Sequence, residues 1–282
     1  MANEDDRRVT ISPQAIALTI AGSDPSGGAG LQADLKAFQQ NGVYGMSVVT
    51  LITVQNSLGV GRVEMLSPEL VCEQYDAVVS DIPPRAIKTG ALGTGAIIAE
   101  IADRLDGCDC PIVVDPVMVS KHGAPLVDDA AVMAYRDTLL PRATLITPNR
   151  FEAERLLDRK IGGELDDLFD ATKELQELGP EMVLLKAGEF DGSQLHVFLA
   201  SDTIVTLTLE RHPTDQTQGA GCSLAATIAA RIALSSPEEA HEPRIRAAVD
   251  FGVAAVNHAI RFAPNYGNGR GPIESRMLHI GD

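Results

Sequence analysis

Short apolar runs alternate with amphipathic segments along most of this chain, and this alternation limits the possible folds more than any other feature. Six runs have the length and composition of buried strands: residues 15–21, 47–54, 86–89, 111–115, 144–147 and 182–186. Six further segments repeat their apolar residues at helical spacing: residues 31–40, 68–79, 94–105, 129–140, 150–157 and 165–178. Alternating strands and helices predict an α/β fold with a mostly parallel sheet and helices on both faces.

The last third of the chain has a different pattern. Residues 193–210 contain two strand-like runs around a short polar turn, which predicts an antiparallel hairpin added to the sheet. Residues 219–234 and 244–262 are helical and Ala-rich, which allows close packing on the sheet. Because no Pro-, Gly- or Ser-rich linker and no repeat divides the chain, we expect a flexible tail over residues 1–14 and one domain over residues 15–282.

The charge balance is strongly acidic. Lys and Arg total 23 against 39 Asp and Glu, a formal charge of -16, and such a field disfavours a nucleic-acid partner. No apolar run approaches the roughly 20 residues of a membrane span, so we expect no membrane partner either. Four scattered cysteines (Cys72, Cys108, Cys110 and Cys222) predict free thiols in a cytoplasmic compartment, with Cys108 and Cys110 too close in sequence for a comfortable bridge.

A glycine-rich turn over residues 22–30 follows the first predicted strand and precedes a helix. So much glycine allows the backbone to approach a ligand at the sheet edge, although a tight turn without a ligand explains the cluster equally well. Gly28, Gly30 and Ala33 match a dinucleotide-binding fingerprint, but the acidic residue that should follow about twenty positions later is missing. The sequence therefore disfavours NAD, and it contains no P-loop motif.

A second glycine motif, Gly219-Ala220-Gly221-Cys222, opens a predicted helix near the other end of the chain. Unpaired N–H groups at a helix N-terminus, backed by the helix dipole, form a site for a transferring phosphoryl group. We expect the same field to lower the pKa of Cys222 and make its thiol a proton acceptor. The alternative is an ordinary helix start with a buried cysteine.

Polar residues stand where three predicted strands end. Asp115, Asn149 with Glu152, and Lys186 each follow or close an apolar run, and the carboxyl ends of parallel strands face the ligand crevice. Asp115 and Glu152 offer the hard oxygen ligands that Mg²⁺ prefers, Lys186 a charge for nucleotide phosphate, and Asn149 a polar contact. Taken singly, each residue is explained as well by a helix-terminal charge or a solvated strand end.

Together these motifs resemble the hydroxymethylpyrimidine/phosphomethylpyrimidine kinases of thiamine biosynthesis, in the ribokinase-like superfamily. The similarity runs from residue 15 to about residue 272, and its most specific stretch is ALTIAGSDPSGGAGLQADLKAF. Further matches are TVQNS, IKTGALG, VDPVMVSKHG, LITPNRFEAERLL, GAGCSLAA and GNGRGP. The resemblance implies a three-layer sandwich, a homodimer, and ATP-dependent phosphorylation of 4-amino-5-hydroxymethyl-2-methylpyrimidine and of its monophosphate.

The resemblance also implies a role for each residue of the site. The substrate-binding set is Gly22, Asp24, Gln55, Ala91 and Val117. The catalytic set is Cys222, Gly219, Ala220, Gly221 and Lys186, with Cys222 in the place of the aspartate base of sugar kinases. The ATP-binding set is Lys186, Asn149, Gly188, Gly219 and Gly221, and the Mg²⁺ ligands are Asp115 and Glu152.

Three departures from the family pattern bear on substrate choice rather than on reaction class. The usual HGTGC is here Gln218-Gly219-Ala220-Gly221-Cys222, the usual KGGH is Lys186-Ala187-Gly188-Glu189, and Ala91 replaces a methionine of the pyrimidine pocket. A pocket widened at Ala91 makes a pyridoxal kinase on the same scaffold the nearest alternative. A regulator that binds nucleotide or pyrimidine without turnover is the second alternative.

Overall fold

The computed structural model describes residues 15–118, 127–187 and 194–279. It contains nine strands: β1 Ile16–Ser23, β2 Tyr44–Asn56, β3 Gly59–Met65, β4 Ala86–Thr89, β5 Ile112–Val114, β6 Leu145–Ile146, β7 Met182–Lys186, β8 Gln194–Ala200 and β9 Ile204–Glu210. Its α-helices are α1 Gly30–Gln40, α2 Pro68–Val79, α3 Gly95–Leu105, α4 Asp129–Ala134, α5 Arg150–Leu157, α6 Leu165–Glu177, α7 Ala220–Leu234 and α8 His241–Arg261. The predicted tail, residues 1–14, lies outside the described residues.

All nine strands form one sheet in the order β3-β2-β1-β4-β5-β6-β7-β8-β9. Six neighbouring strands are parallel, in the spatial order β2, β1, β4, β5, β6 and β7. Strand β3 at one edge and strands β8 and β9 at the other pair antiparallel. This arrangement confirms the predicted mixed sheet and its hairpin extension. Because parallel strands end at the same edge, the loops after β1, β4, β5, β6 and β7 gather on one side of the molecule.

Helices cover both faces of the sheet, which confirms the predicted three layers. One apolar core lies between the sheet and helices α2 to α6, and the other lies between the sheet and α1, α7 and α8. Short buried strands such as β4, all four of whose residues are buried, need apolar cover on both sides. Within the described ranges, no helix is long and apolar enough to cross a bilayer.

Local sequence sets where several helices begin. Ser67 caps α2 by accepting a hydrogen bond from the Leu70 N–H, and Pro68 follows at the first helical position. Thr94 caps α3 in the same way, through the Ile97 N–H. Gly252 of α8 allows α7 and α8 to approach closely, since a Cβ added to it would lie 2.8 Å from the Ile228 side chain of α7.

Two elements differ from the prediction. Strand β3 was not expected, because as an edge strand its residues are mostly exposed and the segment GVGRVEM lacks a buried apolar pattern. The helix predicted over residues 129–140 is α-helical only to Ala134, and then continues as a π-helical turn, Tyr135–Leu139, and a 3-10 turn, Leu140–Arg142. Pro141 accounts for the final 3-10 turn, since it has no N–H to donate to the carbonyl of Asp137, whereas nothing in the structure explains the change to a π-helical turn at Tyr135.

Candidate active site

The glycine-rich turn after β1 is organised by a buried carboxylate. Asp24 is 1% exposed, and its Oδ1 accepts hydrogen bonds from the Ser26 N–H (2.8 Å) and the Ser26 hydroxyl (2.7 Å). Its Oδ2 accepts from the Ala29 N–H (2.8 Å) and from Nε2 of Gln218 (3.1 Å). Four groups of the chain therefore bind Asp24, which shapes the turn, while its contact with a substrate stays a prediction.

The two glycine motifs, almost two hundred residues apart, are packed directly against each other. Gly219 has a φ of +77°, and a Cβ added to it would lie 1.8 Å from the carbonyl oxygen of Gly28. The Gly30 N–H donates a hydrogen bond to Cys222, and Gln218 binds both Asp24 and the hydroxyl of Ser26. Gln218, which replaces the histidine of the family pattern, thus fastens the start of α7 to the turn after β1.

The start of α7 leaves backbone N–H groups directed towards this junction. Gly219 occupies the N-cap position in a left-handed conformation, and within the described residues no side chain caps it. Cys222 lies in the first turn, as the sequence predicted. The Ala220 N–H donates to the Thr217 carbonyl oxygen at 3.2 Å, but the next N–H groups, of Gly221 and Cys222, have no intrahelical partner and can bind an anion there.

The expectation that the helix field lowers the pKa of Cys222 is wrong. Although part of the side chain reaches solvent, the protein surrounds the thiol and this burial raises its pKa to about 12. The Lys88 ammonium and the Gly30 N–H act in the opposite direction, while Asp34 and Asp115 add to the increase. Desolvation is the largest of these effects, so the thiol is neutral at physiological pH.

Lys186 and Asp115 form an ion pair beside the glycine motif. Nζ of Lys186 lies 3.2 Å from Oδ1 of Asp115, and the hydroxyl of Thr147 donates to the same oxygen at 3.1 Å. A Cβ added to Gly221 would lie 3.4 Å from Nζ of Lys186, so the lysine reaches the first turn of α7. Burial alone would lower the pKa of Lys186, but the carboxylates of Asp115 and Glu152 raise it above its ordinary value.

The two predicted Mg²⁺ ligands offer the oxygen atoms that this ion prefers. Oδ2 of Asp115 is buried and accepts no hydrogen bond from the described residues, so a ligand can occupy it. Glu152 is 4% exposed and belongs to a capping box, in which its Oε2 accepts from the Asn149 N–H (2.8 Å) and Asn149 Oδ1 accepts from the Glu152 N–H (2.9 Å). Protein-bound Mg²⁺ usually keeps several water ligands and also binds substrate phosphates, so it needs only one or two carboxylates from the protein.

A buried ion pair was missed by the sequence analysis. Nζ of Lys88 in β4 lies 2.8 Å from Oδ2 of Asp34 in α1, both side chains are 0% exposed, and the Thr19 hydroxyl donates to the same oxygen at 2.6 Å. The Asp34 carboxylate raises the pKa of Lys88 against the effect of burial, so the lysine stays charged. The sequence feature that could have indicated this ion pair is the lysine inside the apolar strand AIKT, because a buried lysine needs a partner of opposite charge.

The remaining predicted residues lie around this centre. Gly22 is buried in the last part of β1, where a Cβ would lie 2.5 Å from the Leu51 side chain. Gln55 is near the end of β2 beside an irregularity in its pairing with β3, and Val117 follows Asp115 by two residues. The carbonyl of Ala91 accepts a hydrogen bond from the Thr50 hydroxyl at 2.6 Å. Gly188 lies outside the described residues.

The Lys88–Asp34 pair gives a stability prediction. We expect Lys88→Met to reduce the free energy of unfolding by about 3–5 kcal/mol, because it leaves the Asp34 carboxylate buried without its partner. The double variant Lys88→Met/Asp34→Asn should lose less than the single variant, since it removes both charges. Equilibrium unfolding in urea measures both, with the exposed Lys173→Met as the matched control. A loss below about 1 kcal/mol for Lys88→Met would contradict this account.

Comparison with known proteins agrees with this geometry. A family profile described as phosphomethylpyrimidine kinase matches residues 24–274. The hydroxymethylpyrimidine/phosphomethylpyrimidine kinase of Synechococcus elongatus is 42% identical over 269 residues, which cover 92% of this chain and 96% of that protein.

Solved structures of ribokinase-like fold resemble the whole chain. The pyridoxal kinase of Staphylococcus aureus in complex with ADP superposes with a TM-score of 0.85 at 32% identity, covering 94% of this chain and 95% of that one. The phosphomethylpyrimidine kinase of Clostridium difficile superposes with a TM-score of 0.72 at 38% identity, covering 86% of this chain and 100% of that one. Profile, sequence and fold agree, and this chain belongs to the phosphomethylpyrimidine kinase family.

Proposed function

We propose that this protein transfers the γ-phosphoryl group of ATP to 4-amino-5-hydroxymethyl-2-methylpyrimidine, and then to the resulting monophosphate, in thiamine diphosphate biosynthesis. The observation that carries the proposal is the packing of Gly219 on Gly28, because it places the first turn of α7 beside the turn after β1. In the first step the hydroxymethyl oxygen bonds to the γ-phosphorus, the bond from that phosphorus to the β,γ-bridging oxygen breaks, and ADP leaves.

The N–H groups of Gly219 and Gly221 and the ammonium of Lys186 would stabilise the charge on the phosphoryl group. The Ala220 N–H would join them only by leaving the Thr217 carbonyl oxygen, to which it donates at 3.2 Å. Phosphoryl transfer needs mainly alignment and charge stabilisation, and fixed N–H groups supply both without reorganisation. The contact between Gly221 and Lys186 supports this assignment, since it brings a lysine to the helix terminus. Asn149 adjoins Lys186 through a parallel bridge and would contact the nucleotide from the next strand end.

Asp115 and Glu152 would hold Mg²⁺, which neutralises the phosphate charge when it is bound. The buried, unpartnered Oδ2 of Asp115 supports this assignment. Lys186 binds the other Asp115 oxygen and thereby fixes the carboxylate in place.

Cys222 would contact the hydroxymethyl oxygen of the substrate as a neutral thiol. In a loose transition state the attacking hydroxyl keeps its proton until late, so a strong base is not needed beforehand. The neutral thiol orients the hydroxyl by hydrogen bonding, and as the new bond forms the hydroxyl proton passes to an oxygen of the transferred phosphoryl group.

Gly22, Gln55, Ala91 and Val117 would line the pyrimidine pocket, with the Gln55 amide donating to and accepting from the ring edge. Gly22 lies near the end of β1 and Ala91 follows β4, and these two strands are hydrogen-bonded neighbours in the sheet. A ring between them would therefore lie at the same sheet edge as Cys222.

The proposal is tested by following ADP release from Mg-ATP with hydroxymethylpyrimidine, its monophosphate or pyridoxal as acceptor. We expect turnover with both pyrimidines. Turnover with pyridoxal alone would replace the proposal by a pyridoxal kinase. Saturable binding without ADP release would replace it by a non-catalytic regulator.

Pyridoxal is kept as a second acceptor because alanine stands at position 91 and a pyridoxal kinase of similar fold is known. We expect Ala91→Met to raise KM for pyridoxal at least several-fold more than KM for the pyrimidine, because the longer side chain narrows the pocket. Ala91→Ser, which adds one oxygen atom, is the matched control and should leave the ratio of the two KM values unchanged. An equal rise for both acceptors would show that Ala91 does not select between them.

The close packing of Gly219 predicts a large effect from one methyl group. We expect Gly219→Ala to lower kcat by on the order of 10²-fold, because the new Cβ clashes with the Gly28 carbonyl and shifts the first turn of α7 by a fraction of an ångström or more. Gly59→Ala is the control, since nothing lies within 4 Å of its added Cβ. Steady-state ADP release measures kcat, and an unchanged kcat in Gly219→Ala would refute the assigned role of these N–H groups.

Cys222 should influence the rate without creating an ionisation near neutral pH. We expect Cys222→Ala to lower kcat by on the order of 10²-fold with little change in nucleotide affinity. Since its pKa of about 12 keeps the thiol protonated, the kcat profiles of the wild type and Cys222→Ser should be parallel between about pH 6 and 9. If the wild-type kcat instead rises with pH in that range and the rise is absent from Cys222→Ser, the thiolate is the active form.

We also propose Mg²⁺ dependence, a cytoplasmic location and a homodimer, as the family resemblance implies. Four unpaired thiols suit a reducing compartment. The β2–β3 hairpin exposes apolar side chains at one sheet edge, namely Ile52 (48%), Val54 (60%) and Leu58 (65%), and a second copy would cover them. Sedimentation velocity of the full chain tests the oligomeric state.

A further inference from the structure

Cys108 and Cys110 form a pair of thiols far from the candidate active site. They lie in the loop between α3 and β5, next to the amino end of β5, whereas Asp115 follows the opposite end of the same strand. Both side chains are partly exposed. The kinase chemistry proposed above makes no use of them.

The two sulfur atoms are in direct contact. Sγ of Cys108 lies 2.8 Å from Sγ of Cys110, and one thiol donates a hydrogen bond to the other. This hydrogen bond from Cys110 stabilises a thiolate on Cys108 and lowers its pKa to about 7, although burial and the carboxylate of Asp109 act in the opposite direction. The pKa of Cys110 rises correspondingly.

The other two cysteines have raised pKa values. Burial raises the pKa of Cys72, and burial raises that of Cys222 to about 12. Because the thiolate is the nucleophile in thiol exchange, Cys108 should react ahead of both at neutral pH.

An open cavity of about 290 Å³ gives small molecules access to the pair. The charged and titratable groups that line it are Asp106, Asp109, Arg142, Glu181, His241 and Arg244. Several are already paired, since Arg142 binds Asp106 at 3.0 Å and His241 binds Glu181 at 2.8 Å. On the inner side lies Tyr75, whose pKa is raised to about 12 by burial and, to a smaller extent, by the two thiols and Asp76, while the Arg104 guanidinium acts in the opposite direction.

We propose that Cys108 and Cys110 are a redox site, at which low-molecular-weight disulfides of the glutathione class reversibly oxidise the two thiols to an intramolecular disulfide. The Cys108 thiolate attacks one sulfur of the small disulfide, breaks its S–S bond and releases one thiolate. Cys110 then attacks Cys108 in the mixed disulfide, loses its proton and releases the second small thiol. The protein loses two electrons and two protons, and the small disulfide is reduced to two thiols.

The short spacing of the two cysteines explains why the site should be reversible. A ring closed over one intervening residue is strained, and strained disulfides are more easily reduced than relaxed ones. The sulfur atoms need to approach by less than about 1 Å to reach a bond length of about 2.05 Å.

The experiment treats the full-length chain with glutathione disulfide at pH 7.5, blocks the remaining thiols under denaturing conditions with iodoacetamide, and analyses tryptic peptides by mass spectrometry. Residues 105–121 form one peptide with both cysteines, while Cys72 and Cys222 fall in peptides 63–85 and 212–231 and serve as internal controls. We expect peptide 105–121 to be unlabelled and two hydrogens lighter, with the control peptides labelled. Dithiothreitol should restore labelling.

Two variants separate the hydrogen bond from the second thiol. Cys110→Ala removes both the hydrogen bond and the second thiol. Cys108 should then retain glutathione as a mixed disulfide. The pH midpoint of its alkylation rate should rise towards about 8.5, the pKa of an ordinary cysteine. Cys110→Ser keeps a donor and should keep a lower midpoint than Cys110→Ala. Circular dichroism checks that both variants fold.

The proposal fails if the wild-type peptide 105–121 remains fully labelled after oxidation, or if Cys72 or Cys222 is oxidised first. It also fails if only glutathione adducts or intermolecular disulfides form at Cys108. None of these results bears on the kinase activity, so this inference and the proposed function stand or fall separately.

Discussion

The contact between Gly219 and the carbonyl of Gly28 is the constraint on which the rest of the site depends. A side chain at position 219 would lie 1.8 Å from that oxygen, so only glycine allows the start of α7 to reach the turn after β1. Asp24 and Gln218 hold the two segments in that position. Without this contact the N–H groups of α7, Cys222 and the strand ends would not face a common space.

Local charge at this edge opposes the charge of the whole protein. The formal charge is -16, yet Lys88, Lys186 and the N-termini of α1 and α7 lie together at the site. Both lysines are held by buried carboxylates, which fixes their positions and keeps them protonated. A buried ion pair is weak evidence for stability in itself, but here it supplies an oriented cation beneath a polar site. An acidic protein can therefore bind a polyphosphate without being basic overall.

The sequence predicted features that depend on neighbouring residues, such as strands and helix starts. It did not predict contacts between residues that are far apart in the chain. The alternating apolar runs predicted the sheet, and strand-end positions predicted that Asp115 and Lys186 would face one crevice, where the structure places them 3.2 Å apart. Lys88 and Asp34 are 54 residues apart and stand in two different motifs, IKTGALG and ALTIAGSDPSGGAGLQADLKAF, so their pairing could be recognised only from the register of β4 on β1. The pKa of Cys222 was predicted in the wrong direction, because the helix position is local while burial depends on the whole fold.

In the proposed mechanism, one edge of the sheet brings the γ-phosphate of ATP and the hydroxymethyl group together at the start of α7. A crystal structure with Mg²⁺, AMP-PCP and hydroxymethylpyrimidine tests it most directly. We expect the γ-phosphate within about 3 Å of the N–H groups of residues 219–222, with the hydroxymethyl oxygen between the γ-phosphorus and Cys222. A γ-phosphate bound elsewhere, or a pyrimidine whose hydroxymethyl group points away from Cys222, would contradict the account.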